Sequence, residues 1–259
     1  MEGDQLFAEE RKLAIAEYVR HNGKATVAAL CDKFGVSGAT IRNDLRELEK
    51  RRLIARTHGG AMTSTKASYE LVAKERETQN LEAKRNIALS ALELIEDGEI
   101  LVVDTGTTTL ELARLLGRRR NLTVVTNDFQ IAQILEDVSA VNTVLVGGRV
   151  RKRFHCTVGS QGSSMLAGLT VDKAFMGANS FSLEKGATTP DIQQAEMKSL
   201  LVGIAERCIL LVDGTKIGKN SFVQFAATDD IDCIITDYID KDYSSQIQEL
   251  GIEVRVADA

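Results

Sequence analysis

The chain has 259 residues, 32 lysines and arginines against 37 aspartates and glutamates, and a formal net charge of −5. That length suits one small and one ordinary globular domain. Four scattered cysteines, Cys31, Cys156, Cys208 and Cys233, and three dispersed histidines predict neither a disulfide framework nor a metal site. With no apolar run of membrane-spanning length and no charged-then-apolar leader, the expectation is a cytoplasmic protein without membrane contact.

Charge is unevenly distributed. Residues 1–60 carry 11 basic and 9 acidic side chains, so the remainder holds the acidic excess. Residues 42–56 carry six basic residues against three acidic ones, a modest footprint for a polyanion.

In chain order, Leu13, Ala16 and Val19 predict a first helix, Asn22-Gly23 ends it, and Val27 to Phe34 predict a short second one. Gly35-Val36 forms a turn, Ser37 is an N-cap, and Ile41, Leu45 and Leu48 repeat at i, i+4, i+7. Three short helices with a tight turn before the last form a helix-turn-helix, whose final helix reads bases in the major groove of double-stranded DNA. Leu53 to Arg56 and the segment from Ala61, joined by His58-Gly59-Gly60, predict a β-hairpin wing. The candidate DNA-binding residues are Ser37, Thr40, Arg42, Asn43, Arg46, Arg56 and His58.

The small polar run from Thr63 to Ser68 and the charged run from Glu70 to Asn80 predict a linker or exposed helix. The expected domains are therefore 1–62 for DNA binding, 63–80 as linker and 81–259 for a second domain. From Leu81 helical periodicity alternates with short β-branched runs. Helices are expected at 81–96, 109–117, 128–136, near 161–167, 191–205 and 243–250. Strands are expected at 100–103, 122–125, 143–146, 171–176, 208–212, 233–236 and 253–256. This alternation predicts an α/β fold, a mostly parallel sheet with helices on both faces and ligands at the carboxyl ends of its strands.

Asp104-Thr105-Gly106-Thr107-Thr108-Thr109 follows a strand and opens a helix, a pattern that offers backbone N–H groups and hydroxyls to an anion, although such a turn also serves as a plain helix cap. Further loops converge on the same sheet edge: Thr126-Asn127, Gly147-Gly148, Gly177-Ala178-Asn179 and Asp213 to Lys216. Asn127 and Asn179 are candidates for sugar hydroxyls, and Lys216 for phosphate. Arg149, Arg151, Lys152 and Arg153 form a basic loop placed either over the pocket or in solvent. Glu196 and Lys198 are expected on a surface helix face.

Several segments in order resemble the DeoR family of bacterial sugar-responsive regulators. In the N-terminal part these are Val36-Ser37, Thr40-Ile41-Arg42, Asp44-Leu45, Leu48-Glu49 and the run Arg56 to Ala61. Downstream they are the loop 104–109, Val125-Thr126-Asn127, Gly147-Gly148-Arg149, Asp172 to Asn179, Thr188-Thr189-Pro190 and Asp213 to Lys216. The resemblance covers most of the chain. It implies a winged helix-turn-helix followed by an α/β effector domain similar to the ribose-phosphate isomerase and CoA transferase group. The implied function is a transcriptional regulator, a repressor of carbohydrate metabolism genes, working as a homo-oligomer, dimer or tetramer. A phosphorylated sugar is the expected effector, held by Asp104, Thr105, Gly106, Thr107, Thr108, Thr109, Asn127, Gly147, Gly148, Arg149, Asn179 and Lys216. No cofactor is expected.

The alternative is a sugar-phosphate isomerase or transferase with an accessory DNA-binding domain. Isomerases of that group carry an acidic pair where this chain has Asn179 and Ser180, so the expectation is not an enzyme. Ser180 and Ser182 also depart from the Gly and Asp of the regulator pattern.

Overall fold

The computed structural model describes residues 8–22, 24–51, 53–57, 59–62 and 76–257, without the side chains of Arg20 and His21. The chain divides into two compact units, 1–70 and 71–259.

In the first unit, α1 (Ala8–Asn22), β1 (Lys24–Thr26), α2 (Val27–Phe34), α3 (Gly38–Lys50), β2 (Ala55–Thr57) and β3 (Gly60–Met62) follow in order. Thr26 caps α2 by accepting the Ala29 N–H, and Gly35, at φ 64°, ends it by donating to the Cys31 carbonyl. A left-handed residue there costs glycine least. Ser37 caps α3, its hydroxyl accepting the Thr40 N–H at 3.1 Å. Ile15, Val19, Leu30, Ile41, Leu45, Leu48, Leu53, Ile54 and Ala61 close one apolar core. Arg11 clips α1 to α3 through Asp44 at 2.8 Å, and Lys12 pairs with Glu47 on the same helix.

The hairpin of β2 and β3 gains an unexpected third strand: β1 pairs antiparallel with β3, in the order β1-β3-β2. Three residues between two helices are too few for alternation to register in the sequence. The approach of β1 explains Gly60, where an added Cβ would lie 2.0 Å from the Ala25 carbonyl oxygen. His58 and residues 63–75, most of the expected linker, lie outside the described residues.

The second unit runs α4 (Leu81–Glu93), β4 (Ile100–Val103), α5 (Thr107–Ala113), β5 (Leu122–Thr126), α6 (Phe129–Glu136), β6 (Val141–Leu145), β7 (Arg149–Arg151), β8 (Cys156–Val158), α7 (Ser160–Leu166) and β9 (Val171–Gly177). It continues through β10 (Ser180–Ser182), β11 (Gly186–Thr189), α8 (Ile192–Gly203), β12 (Ala205–Leu211), β13 (Val223–Ala226), β14 (Cys233–Thr236), α9 (Lys241–Glu249) and β15 (Glu253–Val256). Among the described residues, seven strands form one sheet in the order β15-β14-β12-β9-β4-β5-β6, every neighbouring pair parallel.

Alternate strand residues feed two cores. Leu101, Val103, Phe175 and Ile209 pack with Ile87, Leu110 and Ile131 of α4, α5 and α6. Val102, Ala174, Met176 and Leu210 pack with Leu166, Met197 and Ile247 of α7, α8 and α9. Two antiparallel additions, β7-β8 and β10-β11-β13, were not foreseen; all five of their strands are only three or four residues long. The expected helix 109–117 begins two residues earlier and ends at Ala113, with a separate 3-10 turn at Leu116–Arg118.

Candidate functional site

Because the sheet is parallel, the loops after β4, β9 and β12 open at one edge. They border a cleft lined by Thr105 to Thr108, Gly177 to Asn179, Arg76, Gln194, Lys198 and Lys216. The helix after the threonine loop has seven residues, so its dipole contributes less than the expected pattern supposed. Cationic side chains carry more of the positive potential.

The floor of the cleft is a buried network. Asp104 is wholly buried, and its Oδ2 accepts the Gly177 N–H at 3.0 Å and an ion pair from Lys198. Lys198 Nζ also donates to the Gly177 carbonyl at 2.9 Å. Burial pushes the Asp104 carboxyl above its ordinary pKa, with Lys198 pulling the other way. Thr105 donates its hydroxyl to Asp128 Oδ2 at 2.7 Å, while Asp128 Oδ1 caps α6. Burial likewise raises the Asp128 carboxyl, opposed by that hydroxyl.

At the side of the cleft, Lys216 Nζ lies 3.3 Å from Asp213 Oδ2. Burial lowers the Lys216 ammonium pKa, and Asp213 opposes that shift. Burial acts on Asp213 in the raising direction, but Lys216 and the Thr215 hydroxyl hold it below its ordinary value. The Thr189 hydroxyl lies 3.1 Å from both Asn179 Oδ1 and Gln194 Oε1, which orients two neutral amides.

Of the residues expected to hold an effector, Thr105, Gly106, Thr107, Thr108, Asn179 and Lys216 line this cleft. The others do not. Asp104 lies beneath the floor, and Thr109 is buried with its hydroxyl on the Gly106 carbonyl at 2.9 Å. Asn127 is wholly buried, donating its amide to the Thr157 carbonyl at 2.9 Å, where it fastens β8 to the end of β5. Gly147 sits against Met165, and Gly148 against the Val158 carbonyl, where an added Cβ would lie 2.8 Å from oxygen. Arg149 is exposed and bonded to Gln193.

Three lining residues were not foreseen. Lys198, expected on a surface face, is 2 % exposed, because α8 turns Ala195, Lys198 and Leu201 toward the sheet. A lone lysine on that apolar stripe was the available signal. Gln194 shares this face, and Arg76 reaches the cleft from a segment expected to be linker. Of the basic loop, Arg151 is half-buried, bonded to Gln194 at 3.2 Å and stacked 3.7 Å from the centre of the Phe154 ring.

In the first unit Arg42, Asn43 and Arg46 are exposed on α3, and Arg46 donates to Asn43 Oδ1 at 2.6 Å. Ser37 and Thr40 share a 2.9 Å hydroxyl contact at the start of the helix. Arg56, on β2, lies 3.5 Å from Glu49. Arg11, Lys12 and Arg51 are engaged by Asp44, Glu9 and Glu47, whereas Arg42 and Lys50 have no ion pair among the described residues. An exposed recognition helix with unpaired cations beside a small wing can enter a major groove and bond phosphates and base edges.

Comparison with known proteins agrees with both halves. Residues 11–67 match the DeoR-like helix-turn-helix domain, and residues 79–238 match the DeoR C terminal sensor domain. The HTH-type transcriptional regulator GlpR of Haloferax volcanii is 40% identical over 96% of this chain and 98% of its own length. A putative aga operon transcriptional repressor of Escherichia coli O157:H7 is 33% identical over 95% of this chain and 92% of its own. Among solved structures, ribose 5-phosphate isomerase A of Methanocaldococcus jannaschii is 19% identical with a TM-score of 0.41, covering 54% of this chain and 55% of that one. With a helix-turn-helix ahead of a sensor domain, and full-length relatives of the same kind, the chain belongs to the DeoR family of DNA-binding transcriptional regulators.

Proposed function

We propose that this regulator is a repressor of carbohydrate metabolism genes whose C-terminal cleft binds a phosphorylated sugar. The observation that supports it most is the charge of the cleft. Arg76, Lys198 and Lys216 line it together with the threonine loop, Lys198 paired with Asp104 and Lys216 with Asp213. Three basic side chains thus line the cleft beside the hydroxyls of Thr107 and Thr108, a setting that favours a phosphate over a neutral group. Asn179 and Gln194 suit the hydroxyl end, since an amide both donates and accepts. One of the relatives carries the word repressor in its name, which supports the sign of regulation.

Binding alone does not regulate. The effector shifts operator affinity only by its differential affinity for the two states of the protein, and a symmetric homo-oligomer would present two recognition helices to repeated half-sites. Catalysis is not part of the proposal. Asn179 and Ser180 have no carboxylate, and Asp104 and Asp213 are both held in ion pairs.

The test is a thermal-shift screen with three- to six-carbon sugar monophosphates, each beside its unphosphorylated sugar, with inorganic phosphate as a further probe. A ligand at 100 times its Kd adds about 2.7 kcal/mol of apparent stability. The expected result is stabilisation by at least one sugar phosphate and none by its parent sugar. Equal stabilisation by the two would remove the phosphate from the reading.

A further inference from the structure

The outward face of α3 is a stripe of Ala39, Arg42, Asn43, Arg46 and Lys50, all exposed. Two glutamates stand at its opposite margins, and each is engaged elsewhere. Glu47 pairs with Lys12 of α1, while Glu49 lies 3.5 Å from the Arg56 guanidinium of β2 and accepts the Arg56 N–H at 3.3 Å. Ser37 and Thr40, whose hydroxyls meet at 2.9 Å, sit at the start of the helix outside the stripe.

Alanine, arginine and lysine carry no side-chain acceptor, so among these five residues only Asn43 offers one, its Oδ1. Arg46 Nη1 donates to that oxygen at 2.6 Å. A guanidinium has only donors, which fixes the amide: its oxygen turns to Arg46 and its amino group turns away. Arg46 keeps the Nε and Nη2 side of its fork. The stripe therefore presents donors alone to whatever it meets.

An asparagine by itself suits adenine, accepting from the N6 amino group and donating to N7. With a guanidinium already on Oδ1, that amino group would have to share the oxygen beside a positive charge. The amino group of cytosine meets the same obstacle. Guanine instead shows two adjacent acceptors, O6 and N7, which match the free edge of an arginine fork; thymine shows one.

We propose that the Asn43–Arg46 pair makes α3 a donor-only reader that selects guanine over adenine and cytosine in the operator's major groove. The pairing of the two side chains, and not either one alone, sets which base is read. This deepens the DNA-binding role of the first unit and is independent of the cleft in the second.

Selection from a randomised DNA duplex library, read by sequencing, tests this with the full-length wild type, Arg46→Ala and Asn43→Ala. Both side chains are exposed, so the unfolding temperatures of the variants should stay with the wild type. The wild type is expected to enrich guanine in each half-site, and 7-deazaguanine there, which lacks the N7 acceptor, should weaken binding. Arg46→Ala should lose the guanine preference by about tenfold, within the range for one bidentate base contact, and should gain adenine beside it as the freed Oδ1 accepts from N6. Asn43→Ala should keep guanine, because the fork of Arg46 remains. Guanine retained in Arg46→Ala, or adenine selected by the wild type at a position that Asn43→Ala relaxes, overturns the proposal. Weaker binding by Arg46→Ala with no change in base preference also overturns it, since contacts to phosphate alone behave in that way.

Discussion

Lys198 and Asp104 form an ion pair closed off from solvent, their side chains 2% and 0% exposed, directly beneath the cleft. Breaking one side of such a pair leaves an uncompensated charge where water cannot reach it. Lys198→Met and Asp104→Asn are each expected to cost about 3–5 kcal/mol in urea unfolding. The double variant Lys198→Met/Asp104→Asn should lose less than the two singles added together, because each removes the cause of the other's penalty. Strict additivity across this cycle would show that the two side chains are not energetically coupled.

The buried Lys84 gives a stability signature in alkali. Burial, the largest cause, lowers its pKa from 10.5 to about 8, helped by the nearby Lys216 charge. The folded protein therefore releases the proton before the unfolded chain does. Between those two values the unfolded chain binds more protons, so this group's contribution to stability rises with pH through the window. Relative to Lys84→Met, the wild type should gain about 3 kcal/mol from pH 8 to 10.5 in urea titrations. A constant difference across the window would mean that the folded protein does not perturb the group.

Strands and helices of the second unit were legible because each buries a face whose spacing is written locally: Leu101 and Val103 go to one core, Val102 to the other. Ser37 and Gly35 marked the turn before α3 for the same reason, since caps act within a few residues. The cleft was legible only in part. Asn127 at a strand end has the composition of a ligand group, yet its partner is Thr157, 30 residues away. Asn80 meets Asp213 across 133 residues, so its closeness to the cleft has no local trace. Lys198 was misplaced because charge was weighed above position on the helix.

Asn127 should therefore behave as a structural residue. Asn127→Ala deprives the Thr157 carbonyl of its 2.9 Å donor in a wholly buried setting, an expected loss of about 1–3 kcal/mol. Affinity for the sugar phosphate, measured by calorimetry below the unfolding range, should stay within about threefold, since nothing lining the cleft is removed. A large loss of affinity in a stably folded Asn127→Ala protein would return this residue to the effector site.

On the DNA side, Arg42 and Arg11 separate reading from folding. Arg42 is exposed and without an ion pair among the described residues, so Arg42→Ala should weaken operator binding by about 1–3 kcal/mol and leave unfolding unchanged. Arg11→Ala should do the reverse, destabilising the first unit by about 3 kcal/mol, because Asp44 is nearly buried and loses its 2.8 Å partner. Anisotropy titrations with operator DNA, paired with thermal unfolding, check both. Unchanged affinity in Arg42→Ala would remove it from the reading face.

The remaining prediction concerns chemistry at the cleft. Moving a proton between sugar carbons requires a base within reach of the C–H bond, with a pKa suited to taking the proton. Asp104 is beneath the floor and bound to Lys198, and Asp213 is held by Lys216 and Thr215, so each carboxylate is paired with a cation. Asn179 and Ser180 offer no alternative. The purified protein, given the sugar phosphate it binds best, is expected to show no solvent deuterium incorporation at the substrate carbon by NMR. Exchange at about 1 s⁻¹, the lower end of the ordinary enzyme range, would establish an enzymatic activity besides regulation. Exchange abolished in Asp213→Asn and retained in Lys216→Met would assign the base to Asp213, since the second variant releases that carboxylate instead of removing it.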